Sequence, residues 1–157
     1  MNEKIIVYVA GPLFSPAERR YLEEVTNQIE DLGFKTYLPH RDAGLAINIK
    51  EIGKKLIFKK NLEEINKANM MVVILNGLDV DSGTAFEMGC CFMQRKPIYG
   101  LVEDIRIGDV NSDFNLMISY STKIFQSKKT LFNELQTILK NDSFKNNTDH
   151  PLHNEST

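Results

Sequence analysis

Five short apolar runs alternate with longer segments of helical periodicity along this chain, and this alternation constrains the fold more than any other feature. The run from Met70 to Leu75 is continuously apolar and rich in β-branched residues, which is typical of a strand buried on both faces of a parallel sheet. Four further runs are predicted as strands, at residues 4–10, 34–38, 98–102 and 123–126. The pattern predicts an α/β domain with a doubly wound, five-stranded parallel sheet of Rossmann or flavodoxin-like type and helices on both faces.

Local signals set the boundaries of the intervening helices. Residues 15–18 read Ser-Pro-Ala-Glu, a capping box with proline at the first helical position, so a helix is predicted from here to Leu32, ending at Gly33. Residues 49–68 predict a long amphipathic helix, with a break near Phe58 as an alternative. A last helix is predicted to begin at Ser127.

Length and charge limit the domain organisation and the class of partner. With 157 residues, 42% of them hydrophobic, the chain suffices for one packed domain and is too short for two ordinary ones. We predict one domain over residues 1–141 and a polar, disordered C-terminal tail over 142–157. The formal charge of -2 and the scattered lysines and glutamates provide no basic face, so neither nucleic acid nor a membrane surface is expected as a partner. A small molecule is the expected partner.

Several common signatures do not occur in the sequence. Cys90 and Cys91 have no His or Cys at metal-ligand spacing and are interpreted as small core residues in a reducing cytoplasm. No apolar stretch reaches the length of a signal sequence or a transmembrane helix, so a cytoplasmic protein is expected. No Gly-x-Gly-x-x-Gly or Gly-Lys-Ser/Thr motif follows a predicted strand, so dinucleotide and nucleoside triphosphate sites lack their usual signature.

Three acids follow the central predicted strand, where α/β proteins place their ligands. Asp79 and Asp81 lie in the turn that begins at Asn76-Gly77, and Glu87 lies in the first two turns of a helix predicted over residues 84–94. Asp81 or Ser82 is expected to cap this helix. Glu87 has apolar neighbours and is either a favourable charge near the helix start or a reacting group. Paired carboxylates in different surroundings attack or protonate glycosidic bonds, which favours the second alternative.

Other polar groups stand where their chemistry needs explanation. Tyr8 lies in a predicted buried strand, so its hydroxyl needs a partner. Arg41 follows the second strand in a polar loop over residues 40–44, where a ligand contact and a solvated charge are equally open alternatives. Asn115 stands among apolar residues and must be hydrogen-bonded. Gly83 allows the backbone to approach a ligand closely.

Four fragments together resemble the nucleoside 2-deoxyribosyltransferase family: Tyr8 to Ser15, Leu38 to Asp42, Asp81 to Gly89, and Phe114 to Met117. The resemblance covers about residues 4–140. It implies an enzyme that cleaves the N-glycosidic bond of a 2'-deoxynucleoside and transfers the deoxyribosyl group to another nucleobase. It also implies a glutamate nucleophile and neither a metal nor an organic cofactor.

The resemblance assigns roles to particular residues. Glu87 matches the nucleophile, Asp81 the acid on the base side, and Tyr8 the tyrosine that orients the nucleophile. Asn115 and Met117 match sugar-side residues that reach into a neighbouring subunit's site, so a homo-oligomer with shared active sites is expected. Some of the expected substrate-binding residues are included only because they lie in the matching fragments. The full set is Gly11, Phe14, Arg41, Asn61, Gly83, Asn115 and Met117.

One position departs from the family pattern. Asn61 stands where a second base-contacting aspartate is expected, and an amide cannot carry the proton, so more of any acid role falls on Asp81. Asp79 is an alternative acid, although a turn-stabilising role fits it better.

Two other functions compete with the transferase. A 2'-deoxynucleoside 5'-monophosphate N-glycosidase of the related hydrolase branch would need groups for a phosphate, and Ser15, Arg19 and Ser82 are candidates. The fragment from Phe114 to Met117 favours the transferase. A non-catalytic nucleoside-binding domain would make the carboxylates dispensable, and their clustering argues against it.

Overall fold

The computed structural model describes residues 4–104 and 115–148, the last seven of these by their backbone. In chain order its elements are β1 (Ile6–Ala10), α1 (Pro16–Asp31), β2 (Lys35–Tyr37), α2 (Pro39–Asp42), α3 (Glu51–Lys67), β3 (Met70–Ile74), α4 (Ser82–Met93), β4 (Ile98–Leu101), α5 (Leu116–Ser121), β5 (Lys123–Phe125) and α6 (Lys128–Thr148).

The five strands form one parallel sheet in the order β2-β1-β3-β4-β5. Central strand β3 is buried along its whole length, as its unbroken apolar run predicts. After β2 the chain crosses over β1 to begin β3 on its other side. This places the switch point, where such sheets bind ligands, at the carboxyl ends of β1 and β3.

Helices cover both faces of the sheet, which confirms the predicted doubly wound fold. On one face, α1 and α6 bury Leu22, Ile29 and Leu135 against the sheet. On the other face, α3, α4 and α5 bury Ile65, Met88 and Ile118. Tyr8 belongs to this second face, so it lies beneath the helix that carries Glu87.

The capping box predicted for the first helix is present. Glu18 donates its backbone N–H to Ser15 Oγ at 3.2 Å, and Glu18 Oε2 accepts the backbone N–H of Ser15 at 2.6 Å. The loop between β1 and this helix is thereby fixed at its helical end.

Helix α3 differs from its prediction in two respects. It is continuous past Phe58, so the alternative of a break there is wrong. Its sequence pattern places Ile52, Leu56 and Ile65 on one apolar face, and this prediction is wrong at the N-terminal end, because Ile52 and Leu56 are 70% and 63% exposed while Ile65 is buried. Periodicity identified the helix, but the sheet beneath it covers its C-terminal half alone.

Two short helices occupy segments predicted without helical structure. The first part of the predicted loop over 40–44 belongs to α2, which begins at Pro39, a residue preorganised for a first helical turn. Helix α5 was not predicted because only six residues provide too little periodicity.

The C-terminal boundary also differs from its prediction. Helix α6 continues to Thr148, seven residues past the predicted domain end at residue 141, and residues 149–157 lie outside the described part of the chain. None of the described helices combines the length and apolar character needed to cross a bilayer.

Candidate active site

A tyrosine and a glutamate meet above the carboxyl end of β1. The Tyr8 hydroxyl donates a hydrogen bond to Glu87 Oε1 at 2.6 Å. Tyr8 is fully buried on its strand, whereas Glu87 is half-buried on α4. The buried Tyr8 hydroxyl was predicted to need a hydrogen-bond partner, and that partner is the carboxylate of Glu87, 79 residues further along the chain.

The surroundings of Glu87 change its acidity. Burial raises the pKa of this carboxyl to about 7, the hydrogen bond from Tyr8 opposes the rise, and the negative charge of Asp81 adds to it. Burial and the nearby Glu87 charge raise the pKa of Tyr8 far above its usual range, so its hydroxyl stays protonated and donates. A carboxyl with a pKa near 7 has the character of a reacting group in a cleft.

Asp81 is the N-cap of α4, so of the two predicted caps, Asp81 and Ser82, the first is present. Its Oδ1 accepts the backbone N–H groups of Gly83 at 3.0 Å and Thr84 at 3.1 Å, and its Oδ2 accepts the Thr84 hydroxyl. Glu87 lies beyond the first turn of this helix, so capping does not explain its presence. Asp79 is exposed and accepts the backbone N–H of Val80, in keeping with a turn-stabilising role.

Tyr37 extends the site and was missed by the sequence analysis. It pairs in register with Tyr8 on the neighbouring strand, the ring centroids are 5.5 Å apart, and its hydroxyl donates to Asn61 Oδ1 at 2.9 Å. The sequence signal that could have identified Tyr37 is the one used for Tyr8. Both are tyrosines in predicted strands, and a buried tyrosine hydroxyl needs a hydrogen-bond partner. The structure thus links Glu87, Tyr8, Tyr37 and Asn61 through successive contacts.

The loops after β1 and β3 enclose a cleft of about 180 Å³, lined among others by Phe14, Asp79 and Asp81. Phe14 is 69% exposed, which leaves its ring accessible to a ligand. Gly11 is buried, and a Cβ there would lie 3.0 Å from side-chain atoms of Ile74 and Leu22. Gly11 therefore allows the loop to pass close to β3. Gly83 is exposed and belongs to the cap of α4.

Arg41 is engaged in a surface ion-pair cluster. It donates from Nε to Asp42 Oδ1 at 2.8 Å and from Nη2 to Glu30 Oε1 at 3.0 Å. These partners lie on α1 and α2, and none of them is Tyr8, Asp81 or Glu87. The contacts favour the alternative of a surface charge over that of a ligand contact.

Asn115 and Met117 lie on the exposed side of α5. The Asn115 side chain caps this helix by accepting the Met117 backbone N–H at 2.9 Å, which supplies its predicted hydrogen bond. In the single chain Leu116 and Met117 are 67% and 71% exposed, so they do not enclose Asn115 there. Among the described hydrogen bonds, none joins Asn115 or Met117 to Glu87 of the same chain.

Within residues 4–104 and 115–148, no group of three or more His, Cys, Asp and Glu side chains is arranged to hold a metal ion. Cys90 is half-buried, Cys91 is buried, and both are free thiols.

A family model described as nucleoside 2-deoxyribosyltransferase matches residues 7–120, more than half of the chain. Among solved structures, a conserved protein from Enterococcus faecalis V583 is 24% identical with a TM-score of 0.74, covering 87% of this chain and 99% of that one. A 2-deoxyribosyltransferase from Bacillus psychrosaccharolyticus is also 24% identical, with a TM-score of 0.68 and coverages of 83% and 90%. A 2-desoxiribosyltransferase from Leishmania mexicana is 22% identical, with a TM-score of 0.64 and coverages of 85% and 97%.

At these identities the structural likenesses establish the fold. Comparison with curated protein sequences finds no significant match.

Proposed function

The chain belongs to the nucleoside 2-deoxyribosyltransferase family, and on that premise we propose that it transfers the deoxyribosyl group of a 2'-deoxynucleoside to another nucleobase. The observation that carries the proposal is the hydrogen bond between Tyr8 and Glu87 at the switch point of the sheet. It holds a half-buried carboxylate in one orientation, as a nucleophile requires. Asp81, whose charge acts on this carboxyl, lines the cleft between the loops after β1 and β3.

In the proposed first step, a Glu87 carboxylate oxygen attacks C1' of the deoxyribose. A C1'–O bond forms as the C1'–N bond breaks, and the electron pair leaves with the base, which takes up a proton. The nitrogen of a second base then attacks C1', releases Glu87 and loses a proton, so configuration at C1' is retained over the two displacements. Because Glu87 attacks in its ionised form, its pKa of about 7 predicts that transfer accelerates as the pH rises through neutrality.

Asp81 is proposed to act on the base side. Its position beside the cleft and its charge near Glu87 support this role. The α4 cap occupies part of its hydrogen-bonding capacity, so we propose that it contacts the base through its remaining lone pairs and moves the proton that leaves or joins the ring. Asn61 cannot carry that proton, which leaves Asp81 as the proposed acid.

The proposed enzyme is a homo-oligomer in which α5 completes a neighbouring site. Large apolar side chains along α3, α4 and α5 are exposed in the single chain: Leu56, Phe58, Phe86, Phe92, Met93, Leu116, Met117 and Tyr120. The Phe58 and Phe86 rings are 6.3 Å apart, which joins the α3 and α4 parts of this surface. An apolar surface of this kind is typical of a protein interface, and Asn115 and Met117 lie within it.

Of the three residues named as candidates for binding a 5'-phosphate in the alternative glycosidase, Arg19 and Ser15 make contacts within the chain, and Ser82 is exposed at the start of α4. Arg19 Nη1 donates to the backbone oxygens of Leu13 at 2.8 Å and Phe14 at 3.3 Å, so it supports the loop before α1. Ser15 is the cap of this helix. These contacts favour substrates that lack a 5'-phosphate.

A base-exchange assay tests the proposal. The protein is incubated with 2'-deoxyinosine in the presence and absence of adenine or cytosine, and products are separated by chromatography. We expect new deoxynucleosides only when an acceptor base is present, and a loss of at least about 10³-fold in Glu87→Ala. Release of free deoxyribose without exchange, or activity confined to 5'-monophosphates, would overturn the transferase proposal in favour of a glycosidase.

A further inference from the structure

Two cavities adjoin at the carboxyl ends of β1 and β3. One is the cleft of about 180 Å³ that Asp81 lines. The other, the α1-side cavity, has about 340 Å³ and is lined by Ala17, Tyr21 and Leu22 of α1. The residues common to both walls are Pro12, Glu18, Ile74, Asn76 and Gly77. One continuous space therefore extends from Asp81 to Tyr21.

The α1-side cavity is large enough for a ring-sized group. Small-molecule sites usually have about 300–1,000 Å³, so the cleft at Asp81 alone is small for a ligand, whereas the joined space is not. An apolar cavity of about 150 Å³ suffices to hold a benzene ring. A molecule bound at Asp81 can therefore extend one ring into the α1-side cavity.

The walls of this cavity combine apolar side chains with polar groups that already have partners. Its apolar lining comes from Pro12, Ala17, Leu22 and Ile74. The Tyr21 hydroxyl donates to Glu103 Oε2 at 2.5 Å, and Asn76 Oδ1 accepts the backbone N–H of Glu103 at 2.8 Å. Since these bonds hold Tyr21 and Asn76 in place, the wall is preorganised, and an apolar group can contact the Tyr21 ring without displacing either bond.

The charges around this cavity disfavour an anionic group. Glu18 lines both parts of the space, and no Lys, Arg or His is among the described residues that line either part. The cation beside the wall is Lys128, whose Nζ lies 4.6 Å from the centre of the Tyr21 ring. Its charge is offset, because it pairs with Glu24 at 2.7 Å and lies 3.9 Å from Glu103. The α1-side cavity is therefore suited to an uncharged group.

We propose that the α1-side cavity is a subsite for an uncharged, apolar substituent carried by the nucleobase. This inference rests on the proposed function, because it places the base beside Asp81. Tyr8, which donates to Glu87, packs on the α4 side of the sheet, whereas Leu22 packs on the α1 side. The exocyclic nitrogen of adenine is on the ring remote from the atom that bonds C1'. A group on this nitrogen therefore points away from Glu87 and toward Tyr21.

The test measures exchange and binding separately. Exchange from 2'-deoxyinosine is followed with adenine, N6-benzyladenine and N6-(4-carboxybenzyl)adenine as acceptors, and KM and kcat are determined for each acceptor. In the Glu87→Ala background, calorimetry gives the dissociation constants of the three corresponding 2'-deoxynucleosides. Ala17→Phe, Glu18→Gln and Arg20→Phe are introduced in both settings.

We expect a KM for N6-benzyladenine about 10-fold below that for adenine, with similar kcat, because the ring is buried in the α1-side cavity. In Ala17→Phe the new ring fills this cavity, so the ratio of the two KM values should fall to near one while exchange with adenine is unchanged. Arg20→Phe is the matched control. It adds the same ring to the next exposed turn of α1, where it lines neither cavity, and should keep the original ratio.

Glu18→Gln tests the electrostatic part of the inference. Glutamine can make the same hydrogen bonds in a capping box, but it carries no charge. We expect its KM for the carboxybenzyl compound to fall by about 3-fold relative to that for N6-benzyladenine. An unchanged ratio would overturn the exclusion of anionic groups.

The outcomes separate this inference from the proposed function. If adenine is exchanged but the benzyl group does not lower KM, or if its advantage persists in Ala17→Phe, the subsite is overturned and the transferase stands. If no exchange occurs but the benzyl nucleoside binds more tightly than 2'-deoxyadenosine, and Ala17→Phe abolishes this difference, the subsite stands without the transferase. If no nucleoside binds, both are overturned.

Discussion

At the scale of single residues, the environment of Glu87 makes the stability of the protein depend on pH. Burial raises the pKa of its carboxyl from 4.5 to about 7. Between these values the unfolded chain has lost this proton while the folded chain retains it. Folding therefore becomes less favourable as the pH rises through this window, and the loss is complete above the folded-state value.

Replacement of Glu87 by glutamine should remove this dependence. Glu87→Gln keeps the shape of the side chain and an oxygen for Tyr8, so we expect it to be more stable than the wild type at pH 8 by roughly 1–3 kcal/mol and nearly equal to it at pH 4. Urea denaturation across this pH range measures the difference. The exposed Glu63→Gln on α3 is the control, with an expected change within about 0.5 kcal/mol. A stability difference for Glu87→Gln that is constant across the range would contradict the prediction.

The hydroxyl of Tyr8 should influence both the rate of transfer and its pH profile. Tyr8→Phe removes a hydrogen bond to a charged group, which corresponds to a loss of about 10- to 100-fold in the transfer rate. Because the bond lowers the pKa of Glu87, its removal should shift the acidic limb of the pH–rate profile to higher pH. Tyr99→Phe serves as the matched hydroxyl deletion. An unchanged pH profile in Tyr8→Phe would show that the tyrosine does not tune the nucleophile.

At the scale of elements, helix α4 combines a structural and a proposed chemical function at its N-terminus. The same carboxylate that caps the helix, Asp81, raises the pKa of Glu87 through its charge. The hydrogen bonds of the cap are local and were predictable from residues 81–84. The charge interaction with Glu87 arises because α4, the helix that Asp81 caps, places the two carboxylates near each other.

Two substitutions of Asp81 should separate these functions. Asparagine caps a helix about as well as aspartate, so Asp81→Asn should preserve stability, lower the pKa of Glu87 and slow transfer by about 10²-fold through loss of the proposed acid. Asp81→Ala should in addition lose about 1 kcal/mol of stability. Thermal unfolding and pH–rate profiles measure the two effects, and Ser15→Ala, which removes the cap of α1, is the control for stability alone. Equal transfer rates in Asp81→Asn and the wild type would rule out the acid role.

At the scale of the whole molecule, the single chain leaves the apolar surface of α3, α4 and α5 exposed. The two candidate sugar-binding residues at α5 lie on this surface. Asn115 caps its own helix and Met117 is exposed, so neither contributes to the described contacts of Glu87. In the proposed oligomer, this apolar surface is the interface, and α5 of one chain contributes to the site of another. The proposed site is then complete only in the oligomer.

Mixing two inactive variants should restore activity if sites are shared. Glu87→Ala and Asn115→Ala are mixed after partial unfolding and refolded together, and exchange activity is compared with that of each variant alone. For a two-fold dimer, random pairing predicts recovery of about a quarter of the wild-type rate. The control mixture of Glu87→Ala with Tyr8→Phe should give no more than the sum of its parts, since these two side chains meet within one chain. Absence of recovery in the first mixture, with oligomers present by sedimentation, would contradict shared sites.

The sequence by itself determined the elements whose signals are local. Runs of β-branched residues, a capping box, and Gly and Pro at turns depend on neighbours in the chain, so the five strands, α1 and α4 lie close to their predicted positions. The parallel sheet then placed Asp81 and Glu87 at a strand's carboxyl end. The resemblance to the family implies related roles for Tyr8 and Glu87, as the orienting tyrosine and the nucleophile.

Only the tertiary structure decided which side chains meet across the sheet and which remain uncovered. The register between β1 and β2 brings Tyr37 beside Tyr8, and Asn61 reaches Tyr37 from another helix. The exposure of Ile52 depends on the area that the sheet covers, which helical periodicity does not encode. These features arise from contacts between residues far apart in the chain, whereas a sequence pattern reports the neighbours of each residue along it.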